Sequence, residues 1–221
     1  MSIHTTTQYR RSPFFYVGDK FKLLSQLEEN FPKDIDRFIE PFCGGGSVFL
    51  NTDANQYLLN DIDSYMIQLH EFLMSYAENQ EEFWNELKKY ILEYNLSATF
   101  LDRNVPEQLR KEFKKTYFAK YNKEAYTKLR SDFNVTKDNM MQLYMLLIYG
   151  FNRMLRFNGK GDFNLPVGNV DFNKNVVNAL NDYFDYVADK DIIFFNTDFE
   201  EFVKEIEPTK DDFVYLDPPY L

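Results

Sequence analysis

Phe38-Ile39-Glu40-Pro41-Phe42-Cys43-Gly44-Gly45-Gly46-Ser47 is an apolar run that ends in a proline and three consecutive glycines. It reads as a strand passing through a tight loop into a helix-compatible segment. Glycines at such a junction let the backbone turn sharply and leave main-chain N–H groups unshielded for a ligand. The spacing differs from G-x-G-x-x-G, which disfavours a nicotinamide dinucleotide. Taken alone, the triplet is weak evidence, since an ordinary turn can carry it too.

Outward from this stretch, strands are predicted at 36–42, 57–59, 192–195 and 213–216, where apolar runs are flanked by turn residues. Helical patterns over 19–30, 64–76 and 173–187 alternate with them. An α/β fold with a parallel, doubly wound, Rossmann-like sheet follows. A charged helical region over 81–130, an apolar helix over 139–150 and a Gly- and Asn-rich loop over 152–169 interrupt the alternation. The expected organisation is therefore a catalytic domain formed by 1–78 and 170–221, with an inserted, mainly helical subdomain over 79–169.

Composition sets limits on function. With 221 residues, 44% of them hydrophobic, the chain can bury a core. Its first residues lack a signal-peptide apolar region, and no stretch approaches the length of a membrane helix, so a cytoplasmic protein is expected. One cysteine, Cys43, and two histidines give neither an internal disulfide nor a cluster at metal-ligand spacing. The net charge of −10 argues against a nucleic-acid partner only when taken as one number. Between Arg103 and Arg130, nine basic residues face three acidic ones, a local +6 that leaves −16 for the rest of the chain. Such a run suits phosphate contacts, and it suits a solvated helix face equally well.

Two further constellations carry chemistry. Asn60-Asp61 closes the second strand, where an acidic side chain can accept hydrogen bonds from a ribose, although Asp61 or Asp63 could instead cap the following helix. Asp217-Pro218-Pro219-Tyr220 follows the fourth strand. Its prolines fix φ and remove donors, leaving rigid carbonyls that only accept. A carboxylate plus a proline carbonyl would accept both hydrogens of an exocyclic amine, and Tyr220 offers a face for stacking a base extruded from a duplex. In a sheet of order 3-2-1-4, the ends of the first and fourth strands meet at the switch point where ligands bind. The glycine loop and the Asp-Pro-Pro-Tyr loop would then share one pocket.

These residues, in the order glycine loop, inserted block, tetrapeptide, resemble the Dam-type DNA adenine-N6 methyltransferase family over nearly the whole chain. The resemblance implies S-adenosylmethionine as methyl donor, double-stranded DNA as partner, no metal, a monomer, and catalysis by Asp217, Pro218 and Tyr220, with Asp217 also contacting the cofactor. Tyr16-Val17-Gly18-Asp19-Lys20 is similar to the family's N-terminal motif, implying that Tyr16 and Lys20 contact the methionine end of the cofactor; Asp19 stands where glycine is commoner. Phe42, Gly44 and Gly46 belong to the cofactor loop, and Asp61 to the ribose motif. Asn196 to Glu201 resembles the segment along the cofactor adenine, with polar contact from Asp198 and stacking from Phe199. Without the resemblance, Asp198 reads as a helix cap. Residues 153–168 resemble the recognition loop. That likeness implies that Phe157 and Asn158 wedge beside a flipped base, and that Arg153, Arg156 and Lys160 reach bases or phosphates.

Family members continue past the tetrapeptide with further strands, whereas the last residue here is Leu221. A shortened sequence is expected, with a non-catalytic DNA- or cofactor-binding remnant as the alternative. Methyltransferases of RNA or protein amides more often carry Asn where Asp217 stands.

Overall fold

A computed structural model describes residues 8–218. Pro219, Tyr220 and Leu221, and with them the stacking role expected of Tyr220, lie outside the described residues. Strands β1 (Arg37–Glu40), β2 (Gln56–Asn60), β3 (Asp191–Phe195) and β4 (Phe213–Val214) form one parallel sheet in the order β3-β2-β1-β4. The expected 3-2-1-4 arrangement is the one observed. Registers run Phe38↔Tyr57 and Ile39↔Leu58 on one side of β1, and Phe38↔Phe213 and Ile39↔Val214 on the other. Central β1 is apolar on both sides because both its faces are covered.

Eight α-helices accompany the sheet among the described residues: α1 (Leu24–Glu28), α2 (Ser64–Met74), α3 (Gln80–Glu93), α4 (Glu107–Glu112), α5 (Tyr117–Thr136), α6 (Met140–Tyr149), α7 (Lys174–Val187) and α8 (Phe199–Ile206). Helix α6 is apolar all round, and residues 141 and 143–149 are buried, so it sits at the centre of the molecule against α2 and α5. Its tyrosines stay satisfied there: the Tyr144 hydroxyl donates to the Pro13 carbonyl at 2.9 Å and that of Tyr149 to the Ser97 carbonyl at 2.7 Å. One continuous apolar cluster joins Phe38 and Tyr57 of the sheet to Phe83, Phe133 and Leu147 of the inserted block. Helix α8 covers the opposite sheet face, placing Phe202 against Ile39 and Leu58.

Three elements differ from their sequence reading. The helix expected over 19–30 is a 3-10 turn, Phe21–Leu23, followed by the short α1, because no side chain caps either start. The charged region over 81–130 divides into α3, α4 and α5. Asn95 and Asp102 adopt left-handed φ of 55° and 57°, and Pro106 then starts a new helix. The loop over 152–169 contains a hairpin, closed by the Phe157↔Phe163 antiparallel bridge around an exposed Asn158–Gly161 turn.

Asp63 caps α2, its carboxylate accepting from the N–H groups of Tyr65 at 3.0 Å and Met66 at 3.3 Å. Asp63→Ala is expected to cost about 1 kcal/mol, a fall of about 2–4 °C in the melting midpoint followed by circular dichroism.

Candidate active site

Loops from the carboxyl ends of β1 and β4 and the segment after Phe15 enclose a cleft of about 340 Å³ at the switch point of the sheet. Tyr16, Lys20, Phe42, Gly44, Gly46, Asp61, Asp217 and Pro218 line it, so most of the expected cofactor and catalytic positions do converge. The glycine loop is held from three sides. The Gly44 N–H donates to Asp61 Oδ2 at 2.8 Å, and Asp61 Oδ1 accepts from the Asp63 N–H at 2.9 Å. Asp61 thus braces the loop and leaves the capping of α2 to Asp63. From the sheet side, the Asn60 amide donates to the carbonyls of Pro41 and Thr197, each at 3.0 Å, tying the first loop to the one after β3.

From beneath, His70 Nε2–H donates to the Gly44 carbonyl at 2.8 Å, and its Nδ1 faces the Tyr183 hydroxyl at 3.2 Å. A carbonyl cannot donate, so Nε2 carries a proton, and burial favours the neutral ring. Burial lowers the His70 pKa to about 4. The unfolded chain, with an ordinary histidine near 6.5, therefore takes up a proton at higher pH than the folded one. His70 stabilisation is complete above about pH 6.5 and declines as the pH falls toward 4, by up to about 3 kcal/mol at about 1.4 kcal/mol per unit. Glu40 works in the opposite sense, since burial raises its carboxyl pKa well above the usual range. Between pH 6.5 and 4, wild type should lose stability relative to His70→Asn by up to about 3 kcal/mol as the pH falls, measured as the difference between their urea denaturation curves.

Residues that sequence reasoning assigned no role complete the wall. Glu40 is 3% exposed, and its Oε2, like the Oγ of Ser47, is buried without a hydrogen-bond partner among the described residues. Both residues line the cleft. Unsatisfied acceptors in a concave wall call for a ligand that donates. An acidic residue closing a buried strand was the available signal for Glu40; nothing in the sequence marked His70. Across the cleft Lys20 forms an ion pair with Asp217 and donates to the Gly18 carbonyl at 3.2 Å, so its ammonium orients the carboxylate of the tetrapeptide. Tyr16, its pKa pushed up by burial to about 12, lines the cleft as a neutral phenol.

Other expected positions stand apart. Asp198 caps α8 through the Glu200 N–H at 2.8 Å, the reading its sequence context suggested without the resemblance. Phe199 packs on Phe42 with ring centroids 5.6 Å apart, which brings it to the edge of the cleft. Phe157 stacks on Tyr65 at 4.4 Å. The Asn158 side chain accepts from the Lys160 and Asp162 N–H groups within the hairpin turn. Arg156 grips Asn164 through two bonds of 2.7–2.8 Å, and Lys160 stands exposed at the tip. In the basic segment, Arg103 and Arg130 spend donors on the carbonyls of Leu96 and Leu165. Lys114, Lys115 and Lys123 stay exposed.

Residues 16–221 match the family model of the D12 class N6 adenine-specific DNA methyltransferase, from the first cleft residue through the tetrapeptide. The chain belongs to this family. Among relatives, it is 30% identical over 221 residues to the modification methylase StsI of Streptococcus sanguinis and 31% identical over 220 residues to the type II methyltransferase M.FokI of Planomicrobium okeanokoites. Each match takes in 99% of this chain and 30% of the relative's length. A DNA adenine methylase of Vibrio cholerae is 29% identical across 93% of the chain and 63% of its own length. Among the described residues, no helix is long and apolar enough to cross a membrane.

Proposed function

We propose that this chain transfers a methyl group from S-adenosylmethionine to the N6 amine of an adenine flipped out of duplex DNA. The observation that carries the reading is the convergence of the glycine loop after β1 and Asp217-Pro218 after β4 on one cleft. The residues present fit the cofactor. Gly44 and Gly46, at left-handed φ of 46° and 76°, open the loop for close approach. The orphaned Glu40 and Ser47 oxygens await an ammonium or hydroxyl, and Phe42 with Phe199 presents an aromatic edge for a purine. When bound, S-adenosylmethionine supplies an electrophilic methyl on a sulfonium.

The chain's residues supply position and hydrogen-bond acceptors. Asp217 and the Pro218 carbonyl accept the two N6 hydrogens, which holds the amine nitrogen with its lone pair directed at the methyl. The positive charge that methylation would place on N6 lies beside the Asp217 carboxylate, which would stabilise it and pass the released N6 proton to solvent. Tyr220 is assigned to stacking on the flipped base. Residues 79–169 serve as the target-recognition subdomain, with Arg153, Arg156, Phe157, Asn158 and Lys160 on the DNA side.

The test is transfer of labelled methyl from S-adenosylmethionine to duplex DNA, with nucleoside analysis of the product. Label on N6-methyladenine is the expected result. Duplex that binds but stays unlabelled would leave a non-catalytic binding protein, and sink the catalytic reading.

A further inference from the structure

We infer that Arg11 and Arg153 form a two-pronged anion site that takes one phosphodiester of the target strand beside the flipped nucleotide. The inference rests on the methyltransferase reading and adds a ligand class and a second residue to it. Arg153 ends the 3-10 turn Phe151–Arg153 that follows α6, and its backbone is held at a φ of 50°, next to Asn152 at 55°. Neither residue is a glycine, and such conformations cost energy that the surroundings must supply.

That backbone brings the guanidinium over the ring of Phe15, with Cζ 4.2 Å from its centroid. Phe15 is itself at a φ of 50°. Arg11 approaches the same ring, its Cζ 5.1 Å from the centroid. Two like charges are therefore gathered on one aromatic side chain by backbone segments more than a hundred residues apart in sequence.

Their compensation is incomplete. Arg11 has one carboxylate within reach, Asp19, at 3.5 Å. Arg153 has no ion-pair partner among the described residues. Asp171 exerts some electrostatic pull on it, yet its carboxylate accepts the Thr99 N–H at 2.8 Å. The Nε atoms of both arginines are buried without a hydrogen-bond partner among the described residues. Buried, unsatisfied donors on two cations favour an anion that can accept from planar forks, and a phosphate does so with oxygens in several directions.

Location selects the source of the phosphate. Phe15 directly precedes the cleft-lining residues Tyr16, Val17 and Gly18, and Arg153 lies four residues before Phe157, where the 157–163 hairpin closes. A strand with one nucleotide extruded into the cleft passes between these two features, so its backbone crosses the Phe15 ring.

The experiment measures duplex DNA affinity of the full chain across salt concentrations. The proteins compared are wild type, Arg11→Gln, Arg153→Gln, the double variant and Arg153→Gly. Each single glutamine is expected to weaken DNA binding about equally for all sequences and to lower the log–log salt slope by about 1. The double variant should lose about 1 rather than 2, because the two side chains hold one phosphate together and neither keeps it alone. Arg153→Gly should raise the melting midpoint by about 2–4 °C, since glycine tolerates the left-handed backbone, while DNA affinity falls. An arginine that merely packed on Phe15 would give the reverse: lower stability and an unchanged salt slope. Loss of sequence discrimination at constant slope would also overturn the inference, by assigning Arg153 to a base. If wild type neither binds duplex DNA nor labels adenine, the methyltransferase reading fails together with this inference. If wild type does both and the variants keep its salt slope, only the phosphate site fails.

Discussion

Asp217→Ala is expected to slow methyl transfer to duplex DNA by about 10²–10³-fold in single-turnover measurements, the usual effect of removing one preorganised polar partner of a developing charge. The side chain lines the cleft and is oriented by Lys20, so truncation removes an acceptor for N6–H and strands the Lys20 ammonium in the partly buried site. Cofactor affinity, measured in parallel, separates lost chemistry from lost binding, since the glycine loop keeps its braces from Asp61, Asn60 and His70 in the variant. Equal transfer rates for variant and wild type would remove Asp217 from the reaction.

Gly46→Ala tests the other half of the cleft and is expected to damage both stability and cofactor binding. Gly46 sits at a φ of 76°, and a Cβ there would collide with the ring of Phe49 and approach within 2.8 Å of His70 Cε1. Left-handed strain of about 1–2 kcal/mol adds to an overpacking cost of about 1–3 kcal/mol. Urea denaturation should register the sum, about 2–5 kcal/mol, a large part of a typical folding free energy. Movement of His70 would also disturb its bond to Gly44, so calorimetric titration with S-adenosylmethionine should show weaker binding. Gly159→Ala is the control: nothing lies within 4 Å of its Cβ position and its φ is not left-handed. It is expected to stay within about 0.5 kcal/mol of wild type. Equal effects at the two glycines would show that the glycine loop tolerates a side chain.

The strand order was legible because four apolar runs, each ending in a turn signal, left few parallel arrangements once the glycine loop and the tetrapeptide were both placed at strand ends. Helix boundaries were less so: Asn95 and Asp102 break a region whose charge pattern reads as continuous helix, and left-handed backbone at non-glycine residues leaves little mark in a sequence. Within the site, motifs exposed residues that line the cleft and hid those that hold the motifs in place. His70 lies on α2, where its spacing suits an ordinary core position, and only the three-dimensional approach to the Gly44 carbonyl reveals its task. Asp198 shows the converse, since local sequence and structure agree on a cap.

Pairing of Phe38 with Phe213 joins positions at opposite ends of the chain, whereas Phe38 and Tyr57 are near neighbours in sequence. Closing the longer loop carries the greater entropy cost, and such contacts are slow to form. The part of the cleft built on β1 and β2 is therefore expected to form before the part that carries Asp217, so that Asp217 joins a glycine loop already braced by Asp61 and His70.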